Sequence, residues 1–485
     1  MLNELKKASN MTQTENGAAA YRSTGSCCLD FFASCGAMRN ADEDEILRKF
    51  IRAYAEDADI AMRLLFYARD VRGGLGERRL FRVILRYLAD HSPKSVVRNI
   101  HLISEYGRYD DLLVLLGTEC EDFMAKLVDA VLDYDRKAMS RRLPVTLLAK
   151  WLPSVNTSSP ETRAAAQKLC SLLGLREADY RKRLSALRAY IGTVEDSMRR
   201  GDYSFDYSAV PSKAMLKYRA AFLRNDPERY NAYLSAVESG DEKINSSVLY
   251  PYEIVNAVCN ECDGEKIRVL DGLWKALPDY TDGRNALAVV DGSGSMYMNM
   301  ENVPPPIMIA VSLGMYFAER NRGEFANHFI TFSDTPRLVE IKGKNVKERA
   351  EYCMSYNEIS STDLCAVFEL ILKTAISNHL PQSELPELLY IISDMEFNRG
   401  VECDDVIFEQ IKSRYKRYGY KLPQIVYWNV CARREQFPVK SDDQGVALVS
   451  GSSPSIFSLM MSGEVDPYRM MLNVVNSERY RSVCA

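Results

Sequence analysis

At 485 residues the chain exceeds what one ordinary core encloses, so two domains are expected. Its 47% hydrophobic and 26% charged residues are those of a globular protein, and a net charge of −4 gives no global basic footprint for nucleic acid. No uninterrupted apolar run of about 18 residues is present to cross a bilayer. The segment MLNELKKASNMTQTENG has no apolar signal core, and twelve cysteines without such a signal are expected as reduced thiols. A cytoplasmic protein without membrane contact is the expectation.

In chain order, residues 1–16 are polar and predict a flexible N-terminus. Residues 17–283 are read as an α-helical domain. Ala61, Leu64, Leu65 and Ala68 recur at i, i+3, i+4, i+7, and Leu80, Val83, Ile84, Tyr87 and Leu88 do the same. Breakers separate the helices: RGGLGE at Arg72–Glu77, Ser92-Pro93, Gly107 and Leu143-Pro144. Without a strict repeat, stacked helices of this kind predict a degenerate HEAT-type array. RGGLGERR lacks both the Gly-Lys-Ser/Thr of a phosphate loop and a preceding strand. It reads as a helix–helix turn, with Glu77 favouring the positive end of the next helix. Cys259 and Cys262 form one CxxC without a second pair, which reads as a helical pair of small apolar residues before a zinc site.

Residues 284–485 change texture. Asn285–Val290, Phe325–Phe332, Glu387–Ile392, Gln424–Val430 and Gly445–Val449 read as strands. They alternate with helices Ile307–Asn321, Leu364–Ile376 and Asp404–Tyr418, which predicts a mostly parallel, doubly wound, Rossmann-like sheet. Ligands bind beyond the carboxyl ends of such strands. There LAVVDGSGSMYM sets Asp291, Ser293 and Ser295, ISSTDLCAVFELIL sets Thr362 at a helix mouth, and ELLYIISDMEF sets Asp394. Two carboxylates and three hydroxyls are hard oxygen donors suited to Mg²⁺ or Mn²⁺. The alternative is a Gly-rich turn and an ordinary N-cap.

The order strand–DxSxS, helix–Thr, strand–Asp resembles the metal-ion-dependent adhesion site of von Willebrand factor A domains. The resemblance implies hydroxyls that bind the metal directly, carboxylates that act through water, and one position left for an incoming acidic group of a protein partner. The chain departs from that pattern in two places. SST stands where a glycine often precedes the threonine, and SDMEF replaces the common Thr-Asp-Gly, adding Glu396.

In the first half, Met62–Leu85 and Leu147–Asn156 resemble segments of the TROVE domain of Ro ribonucleoproteins, in which a ring of HEAT-like helices is closed by a von Willebrand A domain. TENGAAAYRSTGS, PSKAMLKYRAAFLRNDPERYNAYL, VLYPYEIV and SGSSPSIFSLMMSGEVDPYRMML look closer still to an uncharacterised, often bacterial relative of that architecture. The resemblance implies a monomer whose helical domain binds structured, misfolded or single-stranded ends of non-coding RNA. Between Arg136 and Arg229 there are 19 Lys and Arg against 9 Asp and Glu. The candidate contacts are Arg136, Lys137, Arg141, Arg142, Arg181, Lys182, Arg183, Arg199, Arg200, Lys213, Lys217, Arg219 and Arg224, interleaved with Tyr180, Tyr190, Tyr203, Tyr207 and Tyr218. Aromatics among cations suit unpaired bases, at about 1–3 kcal/mol per stacked base. The bland alternative is a solvated helix face with tyrosines packed between helices.

Four scattered histidines and the absence of a nucleophile elbow, zincin helix, Walker motif or dinucleotide fingerprint argue for a protein that is not an enzyme. Three readings stay open: a non-catalytic RNA-binding scaffold, a metal-dependent protein-interaction module without RNA, and a Mg²⁺-dependent nuclease or phosphatase using Asp291, Asp394 and Glu396.

Overall fold

The computed structural model describes residues 1, 9–281, 284–298, 304–322, 324–333, 335–356, 363–397, 407–456 and 466–485. From Cys27 to Lys275 the regular structure is helical. Helices Cys27–Cys35, Glu43–Glu56, Ala58–Arg69 and Arg78–His91 pack on one another in sequence. Their caps and charges explain where they start. Ser26 accepts from the Leu29 N–H, Asp57 accepts from the Ile60 N–H, and Glu43, Asp44 and Glu45 sit in the positive first turn of their helix. Each buries one stripe, such as Ile46, Phe50 and Ala53.

RGGLGE is the helix–helix turn its composition suggests. A Cβ on Gly74 would lie 2.0 Å from the Tyr67 carbonyl oxygen, and Gly76 has a left-handed φ of +70°. Glu77 does stand at the N-cap of Arg78–His91, but its carboxylate makes no bond to that helix end. It turns inward to Arg39, 2.7 Å away, because a buried carboxylate gains more from a guanidinium than from a partial charge. The Cys259/Cys262 pair also differs from expectation. Cys259 ends helix Pro251–Cys259, while Cys262 lies exposed in the loop beyond it.

Eight strands are present among the described residues. β1 (Met11–Gln13) and β2 (Ala19–Tyr21) form a small antiparallel hairpin. The others, β3 (Ala286–Asp291), β4 (His328–Phe332), β5 (Leu338–Glu340), β6 (Leu388–Ser393), β7 (Gln424–Asn429) and β8 (Val446–Ser450), form one sheet in the order β5-β4-β3-β6-β7-β8. All pairings are parallel except β4 with β5, an edge strand that the sequence pattern did not single out. β3 and β6 are buried along their whole length, as strands covered on both faces must be.

Alternate residues sort to the two faces. Ala286, Ala288, Val290, Leu388, Tyr390 and Ile392 join helix Pro306–Arg320 and, through it, one continuous apolar core reaching back to Cys28. Leu287, Val289, Leu389 and Ile391 face the opposite way, against helices Leu364–Ser377 and Ile407–Arg417. The architecture is therefore a helical array followed by a doubly wound α/β unit. Its two parts share one core along the first sheet face, where separate cores were anticipated.

Both ends of the helical array reach the sheet unit. Helix Cys27–Cys35 packs on β8, where a Cβ on Gly36 would sit 2.6 Å from the Ser450 carbonyl oxygen. Helices Pro251–Cys259 and Gly264–Lys275 pack on Pro306–Arg320 and Val346–Met354. Arg39, in the segment after the first helix, also lies over the ring of Tyr252 on Pro251–Cys259 and donates to Ser452 just beyond β8. The C-terminal segment returns to the array. Arg479 pairs with buried Asp70, which also accepts from the Tyr480 hydroxyl at 2.8 Å.

The N-terminal stretch departs from the expected flexible arm at residues 9–16. Asn16-Gly17 is a turn, Gly17 has φ +84°, and Thr14 N–H donates to the Ala18 carbonyl at 2.8 Å. Backbone pairing of β1 with β2 and contacts to the sheet unit hold it.

Helix Pro306–Arg320 crosses β3 at Gly314, where a Cβ would come within 2.5 Å of Val290 Cγ2. Val290 is β-branched and stiff, so neither partner yields easily. Gly314→Ala is expected to cost about 1–3 kcal/mol through overpacking, read from denaturant unfolding. An unchanged midpoint would contradict this packing.

Candidate cation site at the carboxyl end of the sheet

The strand order reverses direction between β3 and β6: the chain leaves β3 toward β4 on one side and enters β6 on the other. This is the crevice where parallel sheets bind ligands. The register pairs Val290 with Ile392, so Asp291 and Ser393 end neighbouring strands and Asp394 follows directly. Sequence separation of about a hundred residues collapses to one hydrogen bond: Ser393 Oγ donates to Asp291 Oδ2 at 2.5 Å.

Asp291 is fully buried. Its Oδ1 accepts the Ser293 N–H at 2.9 Å, which folds DGSGS into a tight turn and brings Ser293 Oγ to 3.1 Å from Ser295 Oγ. Asp394 is also buried, and its Oδ1 accepts the Glu396 N–H at 3.2 Å. Burial, and then the like charge of Asp394, push the Asp291 carboxyl up to about 7. Asp291, Ser293, Ser295 and Asp394 are thus brought to one place.

Thr362 lies outside the described residues. Its neighbour Asp363 is the N-cap of Leu364–Ser377, accepting from Ala366 N–H at 3.1 Å, so the helix does open at the position the sequence indicated.

Met395 stands where the resembled pattern has glycine, and its backbone is left-handed, φ +67°. Such a conformation costs a non-glycine residue roughly 1–2 kcal/mol. The side chain is recovered for the core, packing buried with Phe397. Glu396 is buried beside the site, as its position in SDMEF suggested.

Two residues of the site escaped the sequence reading. Arg433 Nη2 donates to Asp394 Oδ2 at 2.9 Å, and its Nη1 lies 3.0 Å from Glu15 Oε2. Glu15 N–H in turn donates to Glu396 Oε2 at 2.6 Å. No local spacing reveals partners 418 positions apart; only the Asn-Gly turn at Asn16-Gly17 was a readable signal.

The donor set fits a hard divalent cation. Two carboxylates and two hydroxyls converge where an ionised Asp291 is disfavoured by burial, so a cation between Asp291 and Asp394 relieves a charge the fold otherwise tolerates poorly. Asp291, Ser293, Ser295 and Asp394 would hold it. When bound, such an ion supplies a positive centre that can accept an acidic group. Arg433 supplies positive charge to Asp394 in this structure. Among the described residues no group of three or more His, Cys, Asp or Glu is placed to hold a metal ion.

The basic candidates on the helical array divide into two groups. Arg136 and Lys137 pair with Asp133, Arg199 and Arg200 with Asp196, Lys213 with Glu253, and half-buried Arg219 with Glu261. Arg141, Arg142, Arg181, Lys182, Arg183, Lys217 and Arg224 are exposed and have no ion pair among the described residues. The tyrosines correct the stacking expectation. Tyr180 and Tyr207 are buried, donating to the Pro153 carbonyl and to Asp226, and Tyr203 and Tyr218 are half-buried; Tyr190 is the exposed one of the five. Helix periodicity, not base stacking, accounts for their spacing.

Comparison with known proteins bears on the whole chain. Residues 14–143 and 145–281, more than half of its length, match the family model described as a domain of unknown function (DUF2828), and the chain belongs to that family. Residues 285–480 match a second model, also described as a domain of unknown function (DUF7788). An uncharacterised protein of Acanthamoeba polyphaga mimivirus is 28% identical over 513 residues, covering 96% of this chain and 87% of that one. Among solved structures, the Ro (RSR) protein of Deinococcus radiodurans aligns over 91% of this chain and 93% of its own, at 13% identity and a TM-score of 0.36. The fold described above rests on strand order and packing, not on that superposition.

A pH dependence follows from Asp291. An unfolded aspartate releases its proton near pH 4, whereas Asp291 retains its proton up to about 7. Between those values the folded chain binds more protons, so its stability falls as pH rises through the window. Asp291→Asn removes that loss. In metal-free buffer the variant is expected to gain thermal stability over the wild type at about pH 8 relative to about pH 4. The same difference at both pH values would contradict the assignment.

Proposed function

We propose that the chain is a non-catalytic RNA-binding scaffold. Its helical array binds structured RNA or single-stranded ends through exposed cations, and the carboxyl end of the sheet holds Mg²⁺ or Mn²⁺ for an acidic group of a protein partner. The observation that carries the RNA reading is the unpaired basic set, above all Arg181, Lys182 and Arg183 on one turn of helix Glu177–Ile191. Cations in close ion pairs contribute little to a phosphate backbone; these three make none among the described residues, and Asp179, paired closely with Arg176, reaches Lys182 and Arg183 only as a more distant charge. The resemblance of Met62–Leu85 and Leu147–Asn156 to Ro segments supplies the choice of RNA over other polyanions. With the tyrosines largely in the core, affinity is assigned to phosphate contacts rather than base stacking.

Replacing Arg181, Lys182 and Arg183 with Glu is expected to weaken binding of a fluorescent single-stranded RNA across sequences. The log–log salt slope should also shrink by about 2, at about 0.7 per lost phosphate contact. Unchanged affinity would move the RNA surface elsewhere. Asp291→Ala should abolish Mn²⁺ binding and leave RNA affinity intact; loss of both would show that the two sites are one.

Metal-dependent binding of a protein without RNA is the second reading, favoured by the convergence at Asp291 and Asp394. Association that survives high salt and disappears with chelator would select it.

A further inference from the structure

The N-terminal hairpin lies across the candidate cation site, and its contacts there are polar and few. Glu15 is joined to Asp394 through one guanidinium, that of Arg433. The backbone N–H of Glu15 donates to Glu396 Oε2, Asn16 Nδ2 donates to the Glu396 carbonyl at 2.6 Å, and Thr14 Oγ1 donates to the Phe397 carbonyl. Every one of these bonds ends on the 394–397 loop or on Arg433. The other end of the hairpin is fixed differently, by paired backbone bonds between Tyr21 and Phe437 at 2.9 and 2.8 Å. One end is held by backbone pairing and the other, here called the latch, by bonds that mostly involve side chains.

Packing beneath the latch is incomplete. A small cavity is lined there by Thr14, Ala19, Leu364, Tyr427, Gln436 and Phe437. In it the Tyr427 hydroxyl and Gln436 Oε1, both on buried side chains, meet no hydrogen-bond partner among the described residues. Buried polar atoms left unpaired favour a rearrangement that wets them. The hairpin brings mainly Ala18, Ala19 and Ala20 to this contact, so little apolar area resists its lifting. A two-stranded ribbon with three residues per strand has no stability of its own.

We propose that the hairpin Met11–Tyr21 is a cation-released strap: Arg433 latches Glu15 to Asp394, and a divalent cation entering beside Asp394 expels the guanidinium and frees the turn 14–18. The proposal rests on the cation reading above. Two positive groups cannot share one buried carboxylate without repulsion, and the divalent ion also gains Asp291 and the two serine hydroxyls. Arg433 then retreats toward solvent, and Glu15, whose side chain is 47% exposed, follows it. Lifting the turn uncovers Glu396 and the Tyr427–Gln436 cavity, so the face offered to a partner depends on the cation.

The test is hydrogen–deuterium exchange of the full chain with and without Mn²⁺, with Mn²⁺ binding measured in parallel by electron paramagnetic resonance. Bound Mn²⁺ is expected to speed exchange of the turn 14–18 amides while exchange in β3 and β6 stays slow. Arg433→Gln should free the turn without metal and tighten Mn²⁺ binding by roughly tenfold, the worth of one charge-assisted bond. Mn²⁺ that binds while exchange at the turn is unchanged or slowed overturns the strap and leaves the cation site standing. No Mn²⁺ binding by either protein overturns the cation reading and the strap together.

Discussion

Two carboxylates held side by side away from water repel each other, and nothing in a parallel sheet forces a chain to put them there. Asp291 and Asp394 are together because β3 pairs with β6, and that pairing fixes which residues end the two strands. Most of the surrounding polar structure answers this charge. Ser393 donates to one Asp291 oxygen and the Ser293 N–H to the other, while Arg433 and the Glu396 N–H serve Asp394. Even so, Asp291 keeps its proton well above the usual carboxylate range, so the compensation is incomplete without a further positive charge.

The two ends of the chain are held at different places. Near one end, the hairpin crosses the site through Glu15; near the other, Arg479 and Tyr480 converge on Asp70 in the helical array. Because the array's core continues into one face of the sheet, the helices and the sheet cannot shift independently without breaking apolar contact. The polar contacts of the hairpin lie over the site, and apolar packing lies behind it. That division would let an exchange of cations, as proposed, act on the surface while the scaffold stays fixed.

The elements legible in the sequence were those whose signal is local. Continuous apolar runs marked β3, β6, β7 and β8 to within a residue or two, and the DxSxS and Ser-Asp endings marked the site because strand ends are where such residues gather. The edge strand β5, three residues with one inward Val339, carries too little pattern to be read. The hairpin was missed because MTQ and AAY are short and neither alternates, although Asn-Gly stood between them. Arg433 and Glu15 could not be read at all, since their roles exist only once the fold has joined positions 15, 394 and 433. Charge density pointed to exposed cations, but it could not tell Arg181 from Arg199, whose charge Asp196 already answers. Nor could it separate buried Tyr180 and Tyr207 from stacking residues, because helix packing and base stacking both use an aromatic face.

The proposals above depend on a divalent cation in the Asp291–Asp394 crevice. Anomalous scattering from a crystal of the full chain equilibrated with Mn²⁺ tests it most directly. A single strong peak at Asp291, Ser293, Ser295 and Asp394 is expected, with Arg433 withdrawn from Asp394. An empty crevice with the Arg433–Asp394 pair intact, at Mn²⁺ concentrations that saturate ordinary oxygen-ligand sites, would contradict it.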